Sequence, residues 1–236
     1  VRSVSPGRGR EAVTHYRVVG RRPDTTVIEL LLGTGRRRQI RVQLGHAYKE
    51  AGDLDSPAYR ALQPFGYVPA LETPDGPMFE TAAILLWLAD RHGALAPAAN
   101  DPDRAAFLGW FTFTNNALHN GAMDLIHPER SGGDTAIRPV AETASRRLRA
   151  QLGVLDAMVT AKNPSWLSAD RPGILAYYVA MLMRWLVFPH FPEHAIESTD
   201  FPALHAILLS MEVQPPAIRA AGAEGMSGTF FSNPKG

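Results

Sequence analysis

The pattern of the chain changes character at Gly93, and no other feature of its 236 residues constrains the fold as much. Before that point short apolar runs alternate with turn-forming residues. Beyond it the apolar positions recur at helical spacing over long stretches, in Ala-rich sequence with few turns between. Two differently built units follow: an α/β domain over residues 15–93 and an all-α domain over residues 101–236. Residues 94–100 carry Pro97 and read as the linker. From His15 the first unit reads as a strand at Tyr16 to Gly20, a turn at Arg22-Pro23-Asp24, and a helix over Val27 to Leu32 closed by Gly33 and Gly35. The alternation Ile40, Val42, Leu44 reads as a second strand, parallel to the first because a helical crossover joins them. Next come a helix at Ser56 to Leu62, a strand at Val68 to Glu72, the turn Pro74-Asp75-Gly76-Pro77 and a return strand through Met78 and Phe79. That turn is short enough to make an antiparallel hairpin. Glu80 to His92 reads as a helix with Ile84, Leu85 and Leu88 on one face, ended by Gly93.

The second unit opens with a helix from about Pro102, for which Asp101 is the candidate N-cap. It carries Phe107, Trp110, Phe111, Phe113 and Leu118 and breaks at His127-Pro128. After the polar loop Ser131-Gly132-Gly133, the spacing of Leu148, Leu152, Leu155 and Val159 predicts an amphipathic helix. Ile174 to Phe188 is apolar nearly all round, as a helix buried on every side must be. Shorter helices at Phe201 to Met211 and Pro216 to Ala221 follow, and Gly225 to Gly236 reads as a tail.

Composition removes several function classes. The chain holds 24 Lys plus Arg against 23 Asp plus Glu, a net +1, so bulk charge gives no reason to expect nucleic acid as a partner. That balance hides a gradient, since residues 1–41 alone carry net +7. With Cys 0 there is no disulfide, cysteine metal site or protein thiol nucleophile. Residues 1–14 lack an apolar stretch and read as a flexible leader rather than a signal peptide. The longest apolar run, Ile174 to Met183, is well short of the roughly 20 residues a membrane span needs. His190 and His194 are four apart, but Pro189 and Pro192 break any helix that would join them, so no metal site is expected. GxGxxG, GxxxxGK[ST] and GxSxG are all absent.

One stretch carries a specific resemblance. Gly66-Tyr67-Val68-Pro69-Ala70-Leu71, followed by Phe79-Glu80-Thr81-Ala82-Ala83-Ile84-Leu85, resembles the glutathione transferase family. There a GxVPxL segment holds a cis-proline at the start of the third strand, and an acidic residue followed by Ser or Thr opens the next helix. Gln63-Pro64-Phe65-Gly66 is similar to the family's entry to that segment, and Phe201-Pro202-Ala203-Leu204, Met211-Glu212 and Pro216-Ala217-Ile218 to its final helices. The resemblance spans about residues 16 to 225. It implies a thioredoxin-like N-terminal domain, an all-α C-terminal domain, a cytoplasmic homodimer, and glutathione as the substrate bound, with no metal.

The chemistry of glutathione fits this stretch. Two carboxylates and an ammonium call for donors, for an acceptor of positive charge, and for an edge against which a peptide backbone can lie. The N-terminus of a helix at Glu80-Thr81 offers unpaired N–H groups with partial positive charge, and Thr81 adds a hydroxyl. Glu80 can pair the ammonium. Beside the cis-Pro69 bond, the Val68 N–H and C=O face outward and can pair with an extended peptide, which by resemblance is the cysteinyl backbone of glutathione. Seen alone, Glu80 and Thr81 also read as an ordinary helix start. Tyr67 stands where many members carry Lys or Gln against the glycyl carboxylate and is assigned to the same site.

The thiol-activating group is open. Alignment with the serine-type members puts Thr25 nearest the donor position and Thr26 next, each also an ordinary N-cap, with Asp24 opposing a thiolate. Phe107, Trp110 and Phe111 correspond to a helix that meets a small hydrophobic electrophile, and read equally as core. The family's capping box in the helical domain appears here as Gly173-Ile174-Leu175-Ala176, leaving Asp170 or Pro172 to start that helix. Two functions remain: a transferase joining the glutathione thiol to a small hydrophobic electrophile, or a catalytically weak binding or interaction protein of the same fold.

Overall fold

A computed structural model describes residues 14–21, 26–32, 53–223, 226 and 228–234. The chain divides into two compact units, Val1–His92 and Gly93–Gly236.

In the first unit β1 (Thr14–Arg21) and β2 (Thr26–Leu32) form an antiparallel ladder from Thr14↔Leu32 to Arg21↔Thr26, with an irregularity between Val18 and Gly20. This corrects the helix expected over Val27 to Leu32 and the parallel crossover built on it. Thr26-Val27-Ile28 is a β-branched start that loses side-chain freedom in a helix, and a short apolar run is the pattern in which helix and strand are hardest to tell apart. The leader residues before Thr14 and the strand expected at Ile40 to Leu44 lie outside the described residues.

The remainder of this unit builds the site. α1 (Pro57–Leu62) is capped by Ser56, whose hydroxyl accepts the Tyr59 N–H at 3.2 Å, and Pro57 fills its first turn, where a missing N–H costs nothing. β3 (Ala70–Thr73) and β4 (Gly76–Phe79) form the expected hairpin in the register Ala70↔Phe79 to Thr73↔Gly76. Its turn is tied by the Thr73 hydroxyl, which donates to the Gly76 carbonyl at 2.7 Å and accepts the Asp75 N–H at 3.1 Å. α2 (Thr81–His92) buries Ile84, Leu88 and Ala89, the inward stripe of an amphipathic helix.

Among the described residues of the second unit the regular elements are all helices. α3 (Arg104–Phe113), a π-helical segment (Thr114–His119) and α4 (Asn120–Ile126) form one rod that ends at His127. Short α5 (Glu129–Gly132) leads to α6 (Ile137–Lys162), whose buried positions include the expected Leu148, Leu152, Leu155 and Val159. α4 and α6 approach closely at Gly121, where an added Cβ would stand 2.9 Å from Leu148 Cδ2. α7 (Ile174–Leu186) buries residues all round, and α8 (Pro202–Glu212) and α9 (Pro215–Ala223) complete the helices.

Three end-of-element details differ from expectation. The N-cap of α3 is Asp103 rather than Asp101, whose carboxylate instead accepts the Asp103 N–H at 2.8 Å. α7 is started by neither Asp170 nor Pro172. Its N-cap is Gly173, and the Ile174 N–H, which lacks a partner within the helix, donates to the Leu95 carbonyl at 2.8 Å. Only glycine fits there, because a Cβ would come within 2.5 Å of that carbonyl oxygen. The stretch read as a tail is fastened. Phe230 and Phe231 are buried, and the buried Glu212 carboxylate accepts the N–H groups of Phe231 and Ser232 at 2.6 and 2.7 Å and the Ser232 hydroxyl at 2.9 Å. Arg184 donates to the Phe230 carbonyl at 2.9 Å, and Ser198 to the Ser232 carbonyl at 2.6 Å.

Candidate functional site

The loop after α1 is shaped by contacts from α1 itself. Gln63 is buried, and its side-chain oxygen accepts the Phe65 N–H at 2.7 Å. Arg60 donates to the Pro64 carbonyl at 2.8 Å and pairs with Asp55 at 2.6 Å, and the Tyr59 hydroxyl donates to the Tyr67 carbonyl at 2.6 Å. Gly66 turns the chain at φ 66°, a backbone region that disfavours side chains, and a Cβ there would meet the Arg60 guanidinium at 2.8 Å. The Val68–Pro69 peptide bond is cis. Phe65, Tyr67 and Val68 emerge 59%, 65% and 47% exposed. Among the described residues nothing pairs with the Val68 N–H or C=O, so its peptide edge is open.

The hairpin register then brings the two halves of the sequence motif together. Ala70 pairs with Phe79, so Pro69 and Glu80 are the next residues beyond the same end of the ladder. Phe65 packs edge-on to Phe79 with ring centres 6.3 Å apart, tying the loop to the end of β4. Glu80 is exposed and holds φ 74°, unusual for a residue with a side chain. Its carbonyl accepts the Ile84 N–H at 3.0 Å, the first bond of α2, which leaves the N–H groups of Thr81, Ala82 and Ala83 outside the helix's own ladder. An open peptide edge, an exposed carboxylate and a helix N-terminus with a hydroxyl thus stand at one end of one hairpin. Tyr67, Val68, Pro69, Glu80 and Thr81 are gathered there.

Thr26 begins strand β2, and Thr25 lies outside the described residues. Phe107 and Phe111 are 0% and 2% exposed, stacked at 5.3 Å and closed over by Trp166 and Tyr178. Both rings are buried in the core of the helical unit. Trp110 points the other way, into an apolar groove of about 600 Å³ between α3 and α6 lined by Ala106, Gly109, Phe113, Ala150 and Val154.

A group of polar residues around His119 was missed by sequence reasoning. The π-helical segment turns them onto α7. The Tyr178 hydroxyl donates to Asn115 Oδ1 at 2.9 Å and lies 2.6 Å from His119 Nδ1. A phenol carries one proton and two lone pairs, so the Tyr178 hydroxyl can bond both side chains at once. The signal available in the sequence was Asn-Asn-x-x-His on one helix, but the partner Tyr178 is remote. Burial holds the His119 pKa below its ordinary 6.5. A depressed histidine pKa favours the folded state above the unfolded value and loses that contribution as pH falls through the folded one. Stability is therefore expected to decline below about pH 6.5, and His119→Phe to flatten that part of a denaturation profile taken from pH 7 to 5. An unchanged slope would mean that His119 does not titrate there.

The two units define the class: a thioredoxin-like N-terminal domain followed by a helical C-terminal domain. Residues 38–97 match the family described as the N-terminal domain of glutathione S-transferase. Glutathione S-transferase GST-4.5 of Xanthomonas campestris pv. campestris is 26% identical over 181 residues, covering 75% of this chain and 85% of that protein. Elongation factor 1-gamma of Prunus avium is 32% identical over 190 residues, 78% of this chain but 42% of the factor, so the chain spans less than half of that relative. A sphingomonad glutathione S-transferase solved with glutathione shares the fold at a TM-score of 0.57 and 24% identity, covering 72% of this chain and 79% of that one. The family match over residues 38–97, the Xanthomonas relative and the shared fold support a member of the glutathione S-transferase family.

Proposed function

We propose that the chain binds glutathione at the end of the β3–β4 hairpin and transfers its thiol to a small hydrophobic electrophile. The observation that carries the reading is the register Ala70↔Phe79, which sets the open Val68 edge beside Glu80 and the free N–H groups of α2. The γ-glutamyl end of glutathione bears its carboxylate and ammonium on one carbon. Thr81 and the adjacent N–H groups receive the carboxylate while Glu80 faces the ammonium. Val68 pairs with the cysteinyl backbone as an added strand would, and Tyr67 lies against the glycyl end. Thr25 or Thr26 is the proposed partner of the sulfur, and Trp110 remains a candidate contact for the electrophile. A nucleophile held next to an apolar surface gains proximity and loses water, the two terms this reaction needs.

A second reading has one observation in its favour. Thr26 opens strand β2 rather than a helix, and a hydroxyl lowers a thiol pKa best when a helix dipole adds to it. On that reading the chain binds glutathione but turns over little. Steady-state assays with glutathione and a panel of aromatic halides, epoxides and peroxides separate the two. Turnover above the solution rate is the expected result, and glutathione binding with none would establish the weaker protein.

The resemblance also motivates a cytoplasmic homodimer. None of the described helices is long and apolar enough to cross a membrane. Light scattering at micromolar concentration should give about 51 kDa, twice the 25.7 kDa chain. A mass of one chain would remove the dimer from the account.

A further inference from the structure

We infer that Tyr59 is a positioning residue for the glutathione site, aiming the Val68 N–H at the ligand by holding the other end of the same peptide group. The inference rests on the functional reading above and adds a residue that the sequence motif does not contain. The atoms concerned are few. The Tyr67 carbonyl and the Val68 N–H belong to one planar peptide unit, and in a trans unit they point in opposite directions. The cis bond is the next one along, Val68–Pro69, so it leaves this geometry intact. The Tyr59 hydroxyl donates to the Tyr67 carbonyl at 2.6 Å. With the oxygen drawn toward α1, the N–H faces away from α1, on the side where nothing described covers it.

This peptide unit needs such a hold. Tyr67 and Val68 are 65% and 47% exposed, so packing does little to fix their backbone. Proline follows and has no N–H with which to join a ladder, and the regular pairing of β3 begins only at Ala70. The adjacent fastenings act elsewhere: Arg60 holds the Pro64 carbonyl and Gln63 the Phe65 N–H, both upstream of Gly66. α1 itself is anchored by the Ser56 cap, which accepts the N–H of Tyr59, so the ring that reaches Tyr67 is carried on a fixed turn. Without the phenol the 67–68 peptide can rotate, and the ligand must then pay the entropy of ordering it.

The discriminating probe is a pair of ligands: glutathione, and an analogue in which the cysteinyl carbonyl is replaced by CH₂, which leaves the Val68 N–H without an acceptor. Calorimetric titration of Tyr59→Phe, which keeps the ring and removes one oxygen, is expected to show glutathione binding weakened about five- to tenfold. The analogue should bind variant and parent alike. Because both ligands are measured on the same variant, a general loosening of the fold would weaken both and would overturn the proposal, as would unchanged glutathione binding by the variant. Failure of the parent to bind glutathione is a separate result, which would sink the functional reading beneath it.

Discussion

Glu80→Ala is expected to weaken glutathione binding by about 1.5 kcal/mol or more, at least roughly tenfold in Kd. The carboxylate is exposed in the free protein, and an exposed ion pair contributes little on its own. The bound ligand changes that balance, because its ammonium and carboxylate displace water from the end of the hairpin and the pair becomes a charge-assisted hydrogen bond. The backbone supplies an independent sign. At φ 74° a side chain costs about 1–2 kcal/mol relative to glycine. Glu80→Gly should therefore unfold at a slightly higher temperature than the parent while binding glutathione as poorly as Glu80→Ala. Opposite movements of stability and affinity are what a residue kept for its ligand produces. Calorimetry and thermal melts on the two variants check this, and parent-like affinity in either would remove Glu80 from the site.

The largest effect on folding is expected at Glu212, far in sequence from the segment it holds. Its carboxylate is buried and accepts two main-chain N–H groups and a hydroxyl from residues 231 and 232. Glu212→Ala leaves those donors without a partner in a dry setting and frees Phe230 and Phe231 to leave the core, a loss of about 3–5 kcal/mol. For a chain of this size that is on the order of a 10 °C fall in Tm. Glu212→Gln keeps one acceptor oxygen and should fall between the two. Limited proteolysis gives a second readout: the variant should be cut within residues 228–234 under conditions where the parent is not. Equal melting temperatures for Glu212→Ala and the parent would mean that the C-terminal turn is held by its aromatic side chains alone.

The legible parts of this protein were those set by local spacing. Gly66 to Leu71 and Phe79 to Leu85 place a turn, a hairpin and a helix start within one short stretch, each following from neighbouring residues, while the cis-proline was implied by the family resemblance. The buried stripe of α6 and the all-round burial of α7 were likewise readable from period. Illegible features needed a partner distant in the chain. The Leu95 carbonyl caps α7, and Glu212 fastens a segment that is Gly- and Ser-rich and reads as a tail. Phe107, Trp110 and Phe111 lie so close together that their spacing cannot tell an inward ring from an outward one, and the structure sends the first and third into the core. The apolar run Val27 to Leu32 fails for another reason: six apolar or acidic residues suit either period, and pairing with β1 decides it. Tyr59 escaped notice because its role is a single hydroxyl on a backbone carbonyl, which leaves no pattern in the sequence.

A crystal structure of the chain grown with saturating glutathione tests the central claim most directly. The predicted result has the γ-glutamyl carboxylate on Thr81 and the N–H groups that open α2, the ammonium facing Glu80, and the cysteinyl backbone paired with Val68. Glutathione ordered anywhere else, or the end of the β3–β4 hairpin empty at saturation, would contradict it.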